Sequence, residues 1–377
     1  MRSTITERAP SFESRRVLLI CDYPPEQLDA ISRTLTAAEI TDRVVLRKRG
    51  RAGWRDEYSV VCNLPFATHS EEVPPTLGSL LSLLAYVTLA TAWGIILVVE
   101  KKCDSVMAIF AFPQGIVASL IGKITGKRVD VLTDGGDVDI IMKNGLARPS
   151  ILASLKHAHR VVALNPIKAR QLLTFGVISE VNPCIGIDIS RFVYTPFENK
   201  ERSSILYVGR LSNEKRPQIL IRACRKLRAR GVNFRLTLVG DGPLREEVTR
   251  MVSDMGLDEM IIVRGHVPHE EIGKFYSKCG IFVLPSVREG VSVALLEALS
   301  SGCLCIVSDI DDNIEVMSRG RGITFRTDDE DDLVAALLWA LQQPSSTISN
   351  ITSKAREIIE GHYSLDAVGS TLKAILL

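Results

Sequence analysis

The chain has 377 residues, of which 46% are apolar and 24% charged, and its formal net charge is +2. This length fits two globular domains of ordinary size, and the near balance of charge argues against a nucleic-acid-binding protein, which usually carries a basic face. The eight cysteines form no Cys-x-x-Cys pair, which favours a reducing compartment and a cytoplasmic protein. Residues 1–16 contain no apolar stretch, so no signal peptide is predicted.

The first half of the chain alternates short apolar runs with longer amphipathic stretches, a pattern that predicts a parallel α/β domain over residues 1–195. Helices are predicted between the strands, for example at Gln114–Thr125 and Ile167–Phe175. The predicted strands are Arg16–Cys21, Val44–Arg47, Tyr58–Asn63, Ser105–Phe110, Arg128–Thr133 and Arg160–Leu164.

Residues 74–99 contain no charged side chain, and Glu100, Lys101 and Lys102 close the run. An uncharged run of this length is the usual signature of a transmembrane segment. Interspersed Thr, Ser and Gly residues favour a buried helix followed by a strand instead. A helix that lies against the inner face of a membrane, or that docks a lipid acceptor, is the alternative, and a true span is a third.

A polar, proline-containing segment near Tyr194 predicts a linker. A second α/β series follows and predicts a second domain over residues 196–358. Two doubly wound, Rossmann-like domains that face each other would bind ligands in the cleft at the carboxyl ends of their strands. The strands predicted here are Ser204–Val208, Arg235–Val239, Met260–Arg264, Gly280–Leu284 and Leu304–Ser308.

The loop after the strand that ends at Val208 carries Gly209, Arg210 and Lys215. Glycine permits a tight turn and a close approach of the backbone. A guanidinium grips phosphate oxygens through its planar fork, and an ammonium adds a mobile point charge. The loop therefore suits a diphosphate, although a solvated basic loop would have the same composition.

Gly240 and Gly242 follow the next predicted strand. The dinucleotide fingerprint G-x-G-x-x-G fails here, because Arg245 occupies the place of its third glycine. A nicotinamide dehydrogenase is therefore disfavoured, and the two glycines are predicted to form a strand-to-helix turn that lines the cleft.

Two carboxylates, Glu289 and Glu297, bracket a predicted helix that starts near Gly290. The free N–H groups and the positive dipole end of such a helix attract a phosphate or a sugar hydroxyl to Gly290 and Val291. Glu289 can accept hydrogen bonds from sugar hydroxyls, and Glu297 can reach a ribose diol. Because apolar residues flank Glu297, we expect it to be buried beside a partner.

Together these motifs resemble the retaining glycosyltransferases of the GT-B fold, family 4. The run 208–217 resembles that family's diphosphate loop, and residues 239–247 resemble its next strand and helix. Residues 288–302 match its E-x7-E signature through Glu289 and Glu297. The resemblance implies that the backbone at His266 and Val267 holds the nucleotide base. It also implies that a C-terminal helix in residues 359–377 crosses back to the first domain.

The resemblance is looser in the first half. Asp134 stands where the family has a histidine, Ile185 stands where it has an asparagine, and no glycine-rich loop follows Pro24-Pro25. Asp134 is either a catalytic residue that orients the sugar or, with Asp137, a cap of the tight turn between them. These departures leave two functions open. The chain is either an active transferase or a catalytically diverged nucleotide-sugar-binding scaffold or partner subunit.

The function that the resemblance implies is transfer of a hexose from a nucleotide-diphosphate sugar to a saccharide or lipid-linked acceptor in polysaccharide or glycolipid assembly. Arg210, Lys215 and the helix start would stabilise the charge that develops on the diphosphate. We therefore expect no metal and no cofactor beyond the nucleotide-sugar co-substrate. The strings 137–139 and 309–311 have the Asp-x-Asp form of a metal site and are the alternative.

Overall fold

A computed structural model describes residues 16–21, 25–40, 42–47, 59–63, 77–133, 138, 141, 145, 148–318 and 320–376. This part of the chain forms two parallel sheets, each with helices packed on it. The first sheet has seven strands in the order β3-β2-β1-β4-β5-β6-β7. Its elements are β1 (Arg16–Ile20), α1 (Pro25–Ala37), β2 (Asp42–Arg47), β3 (Ser59–Asn63), α2 (Leu77–Glu100), β4 (Ser105–Ile109), α3 (Ile116–Thr125), β5 (Arg128–Leu132), α4 (Arg148–His157), β6 (Arg160–Ala163), α5 (Pro166–Leu173) and β7 (Glu180–Val181).

The second sheet has six strands in the order β10-β9-β8-β11-β12-β13. A single turn of 3₁₀ helix at Phe197–Asn199 precedes it. Its elements are β8 (Glu201–Val208), α6 (Pro217–Ala229), β9 (Arg235–Val239), α7 (Arg245–Asp254), β10 (Ile261–Gly265), α8 (His269–Lys278), β11 (Cys279–Leu284), α9 (Val293–Ser300), β12 (Leu304–Ser308), α10 (Asp311–Met317), β13 (Ile323–Phe325), α11 (Glu330–Gln342), α12 (Ser345–His362) and α13 (Leu365–Leu376).

The predicted linker is shorter than the sequence indicated. Strand β8 begins at Glu201, where the polar composition predicted irregular chain up to Ser204. Glu201 pairs with Cys279 of β11, so the backbone of this polar stretch is bonded into the sheet. Its side chains alternate between exposed and partly buried, because successive side chains of a strand point to opposite faces.

Residues 77–100 form one continuous helix, so the prediction of a buried helix followed by a strand is wrong. The next strand, β4, begins only at Ser105. One face of α2 is buried through residues that include Tyr86, Ala90 and Leu97, and the opposite face is exposed. Apolar residues on both faces remove the period that normally distinguishes a helix in a sequence.

The last helix, α13, packs against α1 of the first sheet. Gly369 lies so close to α1 that an added Cβ would overlap the Cβ of Ala37. Leu372 and Leu376 are buried in the same apolar cluster as β1 and α1. Residues 365–376 therefore complete the core of the first sheet, although α12 precedes them on the second.

Both sheets reverse their strand order at an equivalent place, between β1 and β4 and between β8 and β11. Loops on the two sides of such a reversal diverge, which leaves a crevice at the carboxyl ends of the strands where ligands bind. The two halves also contact each other directly, since the Asn165 amide at the start of α5 donates to Asp312 Oδ1 of α10 at 2.8 Å.

Candidate functional site

An ion pair joins the two loops that flank the reversal point of the second sheet. Lys215 Nζ, in the loop after β8, lies 2.6 Å from both carboxylate oxygens of Glu289, in the loop after β11. The Ser286 hydroxyl also donates to Glu289 Oε1, at 2.5 Å. Glu289 is buried, whereas Lys215 keeps a quarter of its side chain exposed. Lys215 and Glu289, both predicted from the sequence, thus form one ion pair that extends from the protein interior to its surface.

The backbone holds the same two loops together. The amide of Val287 donates to the carbonyl oxygen of Glu214 at 2.8 Å, and Arg288 forms an ion pair with Glu214. Strands β8 and β11 are direct neighbours, which brings their carboxyl ends to one edge. The relative position of Lys215 and Glu289 is therefore fixed by main-chain contacts as well as by their charges.

The glycines after β9 allow the closest backbone contacts at this edge. Gly240 has φ 136°, and a Cβ there would overlap the carbonyl oxygen of Gly209. Gly242 has φ 157°, and an added Cβ there would overlap the carbonyl oxygen of Leu211. The predicted close approach at the diphosphate loop is therefore achieved mainly by Gly240 and Gly242. An added Cβ on Gly209 would only contact the Tyr207 hydroxyl, at 3.3 Å.

Arg210 is exposed, and its guanidinium makes no hydrogen bond or ion pair within the described ranges. Its carbonyl oxygen accepts a hydrogen bond from the buried Tyr207 hydroxyl at 2.8 Å, which fixes the loop backbone. Burial, with a smaller contribution from the Glu289 carboxylate, raises the pKa of Tyr207 far above its usual range. Tyr207 therefore acts as a neutral hydrogen-bond donor, and Arg210 remains available to a ligand.

Helix α9 begins at Val293, three residues later than the sequence predicted. The Ser292 hydroxyl caps it by accepting from the amide of Leu295 at 3.4 Å. Serine is a favoured N-cap because its side chain replaces a missing helical partner. Gly290 and Val291 thus lie, partly buried, in the loop before the helix. The α9 N-terminus still faces this loop, but one of its amides already has a partner.

Glu297 is buried on α9 with a partner on each oxygen. Oε1 lies 2.7 Å from His269 Nε2, and Oε2 accepts from the Tyr276 hydroxyl at 3.1 Å. Both partners come from α8, so the expectation of a buried, partnered carboxylate is confirmed. Glu297 also lines a small pocket with His269, Val293 and Arg191. One acceptor site on each oxygen remains open, which suits a diol.

Sequence reasoning assigned no chemistry to His269 or Tyr276. The hydrogen bond to Glu297 raises the pKa of His269, while partial burial lowers it by a smaller amount. Burial raises the pKa of Tyr276 well above its usual range. These residues precede Glu297 by 28 and 21 positions, so no local spacing connects them. Only the packing of α8 against α9 reveals the cluster.

The remaining site residues predicted from the sequence are His266, Val267 and Asp134. His266 is exposed and Val267 is buried, both directly after β10. Asp134 lies outside the described residues. In the turn after β4, Gln114 is buried, and its side-chain oxygen has no hydrogen-bond partner among the described residues. Because β4 flanks the reversal point of the first sheet, Gln114 is a polar group on the first-sheet side of the cleft that the sequence did not single out.

Asp309, in the second of the two Asp-x-Asp strings, is held in a turn. The Asp309 carboxylate accepts from the Thr327 amide at 2.8 Å and from the Thr327 hydroxyl at 2.7 Å. These bonds lower the pKa of Asp309 and commit its oxygen Oδ1 to the turn. Asp137 and Asp139 lie outside the described ranges, within which no cluster of three or more His, Cys, Asp or Glu side chains is placed to hold a metal ion.

The second sheet and the helices around it are similar to a known family of proteins. Residues 192–358 match the family described as glycosyl transferases group 1. The putative colanic acid biosynthesis glycosyltransferase WcaL of Salmonella typhimurium is 24% identical over 277 residues, which is 70% of this chain and 68% of that protein. The amylovoran biosynthesis glycosyltransferase AmsK of Erwinia amylovora is 26% identical over 297 residues, which is 74% of this chain and 72% of that one.

Solved structures match over both sheets. Anabaena HepE in complex with UDP has a TM-score of 0.72 at 14% identity and covers 96% of this chain and 99% of its own. Sucrose-phosphate synthase from Thermosynechococcus elongatus has a TM-score of 0.73 at 16% identity, with coverage of 96% and 98%. The architecture is that of the GT-B glycosyltransferases, so the fold predicted from the sequence is confirmed.

Proposed function

We propose that this protein, whose residues 192–358 match the glycosyl transferases group 1 family, transfers a hexose from a nucleotide-diphosphate sugar to an acceptor hydroxyl. The observation that carries the proposal is the Lys215–Glu289 pair at the reversal point of the second sheet. Lys215 lies on the loop that also presents the exposed guanidinium of Arg210, which has no partner among the described residues. Two cationic side chains on one loop suit a diphosphate.

The lysine and the carboxylate have separate parts in this proposal. An ammonium has three protons, and at most two are directed at Glu289, so one remains for a phosphate oxygen. Glu289 accepts from Lys215 and Ser286, which leaves an acceptor site on Oε2 for a sugar hydroxyl. Glu297 offers its two open sites to the ribose diol. As the donor bond breaks, Arg210 and Lys215 stabilise the negative charge on the leaving diphosphate.

We also propose that the transfer retains the anomeric configuration and requires no metal. The chain would then belong to family 4, whose signature Glu289 and Glu297 match. Two cations on the diphosphate loop supply the charge that a metal ion would otherwise supply. The acceptor is a saccharide or a lipid-linked saccharide in polysaccharide assembly. Support for this class comes from the colanic acid and amylovoran transferases that the chain resembles.

The test is a transfer assay with a panel of nucleotide sugars and saccharide or lipid-linked acceptors, run with and without EDTA. We expect release of a nucleoside diphosphate, activity that survives chelation, and an NMR coupling constant at the new linkage that matches the donor anomer. Arg210→Ala should lower the rate by roughly 100-fold. Arg225→Ala changes an exposed arginine on α6 and should leave the rate unchanged.

A catalytically diverged scaffold is the second candidate. It is favoured by Asp134, which stands where the family has a histidine, and by Ile185, which is buried in the first-sheet core where the family has an asparagine. A scaffold would bind a nucleotide sugar and raise its own melting temperature without turnover. Binding without transfer or hydrolysis over the whole panel would decide for the scaffold.

A further inference from the structure

Helix α2 exposes a continuous apolar stripe. Its large exposed residues occur at helical spacing on one face, and each is 42–69% accessible. The stripe is about 27 Å long at 1.5 Å per residue, and no charged residue interrupts it. Isolated exposed apolar residues need no explanation, but a contiguous face marks an interaction site. The residues are Leu81, Leu84, Leu89, Trp93, Ile96 and Val99.

The opposite face of α2 fixes the helix to the protein. Gly94 lies so close to α3 that an added Cβ would overlap the Ile121 side chain. The window Leu83–Glu100 is long and apolar enough to cross a membrane. However, α2 connects β3 to β4 of one sheet, and a third of that window is buried inside the protein. A helix that spanned a bilayer would have to leave this sheet.

Helix α3 extends the apolar surface and, with the end of α2, gives it a cationic rim. Leu120 and Ile124 of α3 are exposed beside α2. Crossover helices run antiparallel to the strands they connect, so α2 and α3 end at the same edge of the sheet. Glu100 ends α2, Lys101 and Lys102 follow it, and Lys123 lies in the last turn of α3; Glu100, Lys102 and Lys123 are exposed, so the lysines outnumber the one carboxylate here. Lysines at this edge complement the phosphates of anionic lipids.

The stripe offers a protein partner few hydrogen-bonding groups, namely the Thr88 hydroxyl and the indole N–H of Trp93, a side chain that is typical of membrane–water interfaces. The Thr88 hydroxyl, exposed between Leu84 and Leu89, donates back to the Leu84 carbonyl oxygen at 2.9 Å. Protein interfaces of this extent usually contain several direct hydrogen bonds. Hydrocarbon requires only that polar groups be satisfied internally, as this hydroxyl is.

We propose that α2, with Leu120 and Ile124 of α3, is a membrane-docking surface. It lies in the plane of the bilayer interface, with its apolar stripe at the acyl boundary and Lys102 and Lys123 at anionic headgroups. The first turns of α2 lie at the carboxyl edge of the first sheet, the edge that faces the cleft, so docking holds the cleft beside the lipid surface. The docking itself does not depend on the proposed transferase activity.

Co-sedimentation with vesicles tests the surface. The full chain should bind phosphatidylcholine vesicles that contain phosphatidylglycerol, and more weakly those that do not. The double substitution Leu84→Glu with Trp93→Glu should lower the partition coefficient more than roughly tenfold, since both carboxylates would enter the acyl boundary. Ile178→Glu is the matched control. It changes an 85% exposed apolar residue near β7, at the far edge of the same sheet, and should bind as the parent does.

The cationic rim has its own test. Lys102→Gln with Lys123→Gln should weaken binding to the anionic vesicles by roughly fivefold per charge. Binding to pure phosphatidylcholine should not change. Circular dichroism and nucleotide binding that match the parent protein would show that the variants fold, and these readouts do not involve vesicles.

Three results would overturn the docking surface. The first is a parent protein that binds neither kind of vesicle. The second is equal binding by the parent protein and the Leu84→Glu, Trp93→Glu variant. The third is a dimer, detected by light scattering, that this variant dissociates while vesicle binding is absent, because the stripe would then be covered by a second copy of the chain.

Discussion

Glu289 and Glu297, which lie before and within α9, are both buried but are held by different chemistry. Glu289 pairs with the ammonium of Lys215, whereas Glu297 pairs with the imidazole of His269 and the phenol of Tyr276. An ammonium keeps its charge across neutral pH, but an imidazole changes its charge in that range. The spacing of the two glutamates in the sequence therefore identifies the carboxylates but not the residues that bind them. Their partners decide which end responds to pH.

The largest expected effect is on the transfer rate, and it comes from a change of Lys215. Lys215→Ala should lower the transfer rate by about 100-fold or more, because it removes a cation from the diphosphate and leaves the buried Glu289 with the Ser286 hydroxyl but without its charged partner. Steady-state kinetics with saturating donor measures this. Lys226→Ala, which breaks a surface ion pair with Glu330 on the back of the same domain, should leave the rate unchanged. Equal losses of transfer rate in both variants would show that Lys215 has no specific part in the reaction.

The next effect concerns binding at the Glu297 end. Glu297→Gln replaces one acceptor oxygen by an amide donor, so it should raise the Kd for the nucleoside diphosphate roughly tenfold. Isothermal titration measures this Kd. Glu246→Gln on α7, where the carboxylate is exposed, is the matched control. A normal affinity in Glu297→Gln would mean that this carboxylate only supports the fold.

The smallest effect is a pH dependence of stability that only the Glu297 end should show. Because the pKa of His269 is raised above 6.5 in the folded protein, the protonated pair stabilises the fold below that pH, and the gain is lost as the pH rises through the raised pKa. His269→Gln should therefore lower the free energy of unfolding more at pH 6 than at pH 8.5. We expect a difference of up to about 1 kcal/mol, since the pair is partly exposed.

Urea unfolding at the two pH values measures this difference. His157→Gln is the control, because that exposed ring forms, among the described residues, a hydrogen bond only with the carbonyl oxygen of Ala153 and no ion pair. Arg191 opposes the raised pKa and Glu270 supports it, so the same pair of measurements on Arg191→Gln should enlarge the pH dependence. A loss of stability in His269→Gln that is equal at both pH values would show that the ring acts by packing alone.

The sequence predicted the sheets well because buried parallel strands consist of nearly continuous apolar runs. Each of the predicted strands has a counterpart, with ends that differ by a few residues. The short edge strand β7 was missed because both of its residues are exposed. Helix α2 was misjudged for the opposite reason, since a helix that is apolar on all sides has no period to reveal it.

Some residues of the candidate site were also predicted from the sequence and others were not. Arg210, Lys215, Glu289 and Glu297 were predicted from local motifs, and the structure places Lys215 against Glu289 across 74 residues of chain. His269 and Tyr276 were not predicted, because their position against Glu297 depends on how α8 packs on α9. The roles of all these residues in binding and transfer stay predictions, as does that of Asp134 and the division of the chain at residues 195 and 358.

The packing of α13 on α1 has a consequence for biosynthesis. The apolar cluster around β1 and α1 includes Leu372 and Leu376, so it lacks part of its wall until residues 365–376 have left the ribosome. The second sheet, by contrast, has all its strands once residue 325 is made. The first sheet, although it is translated first, therefore completes its core only after the second sheet has all its strands. Until then, part of the apolar surface around β1 and α1 stays exposed to solvent.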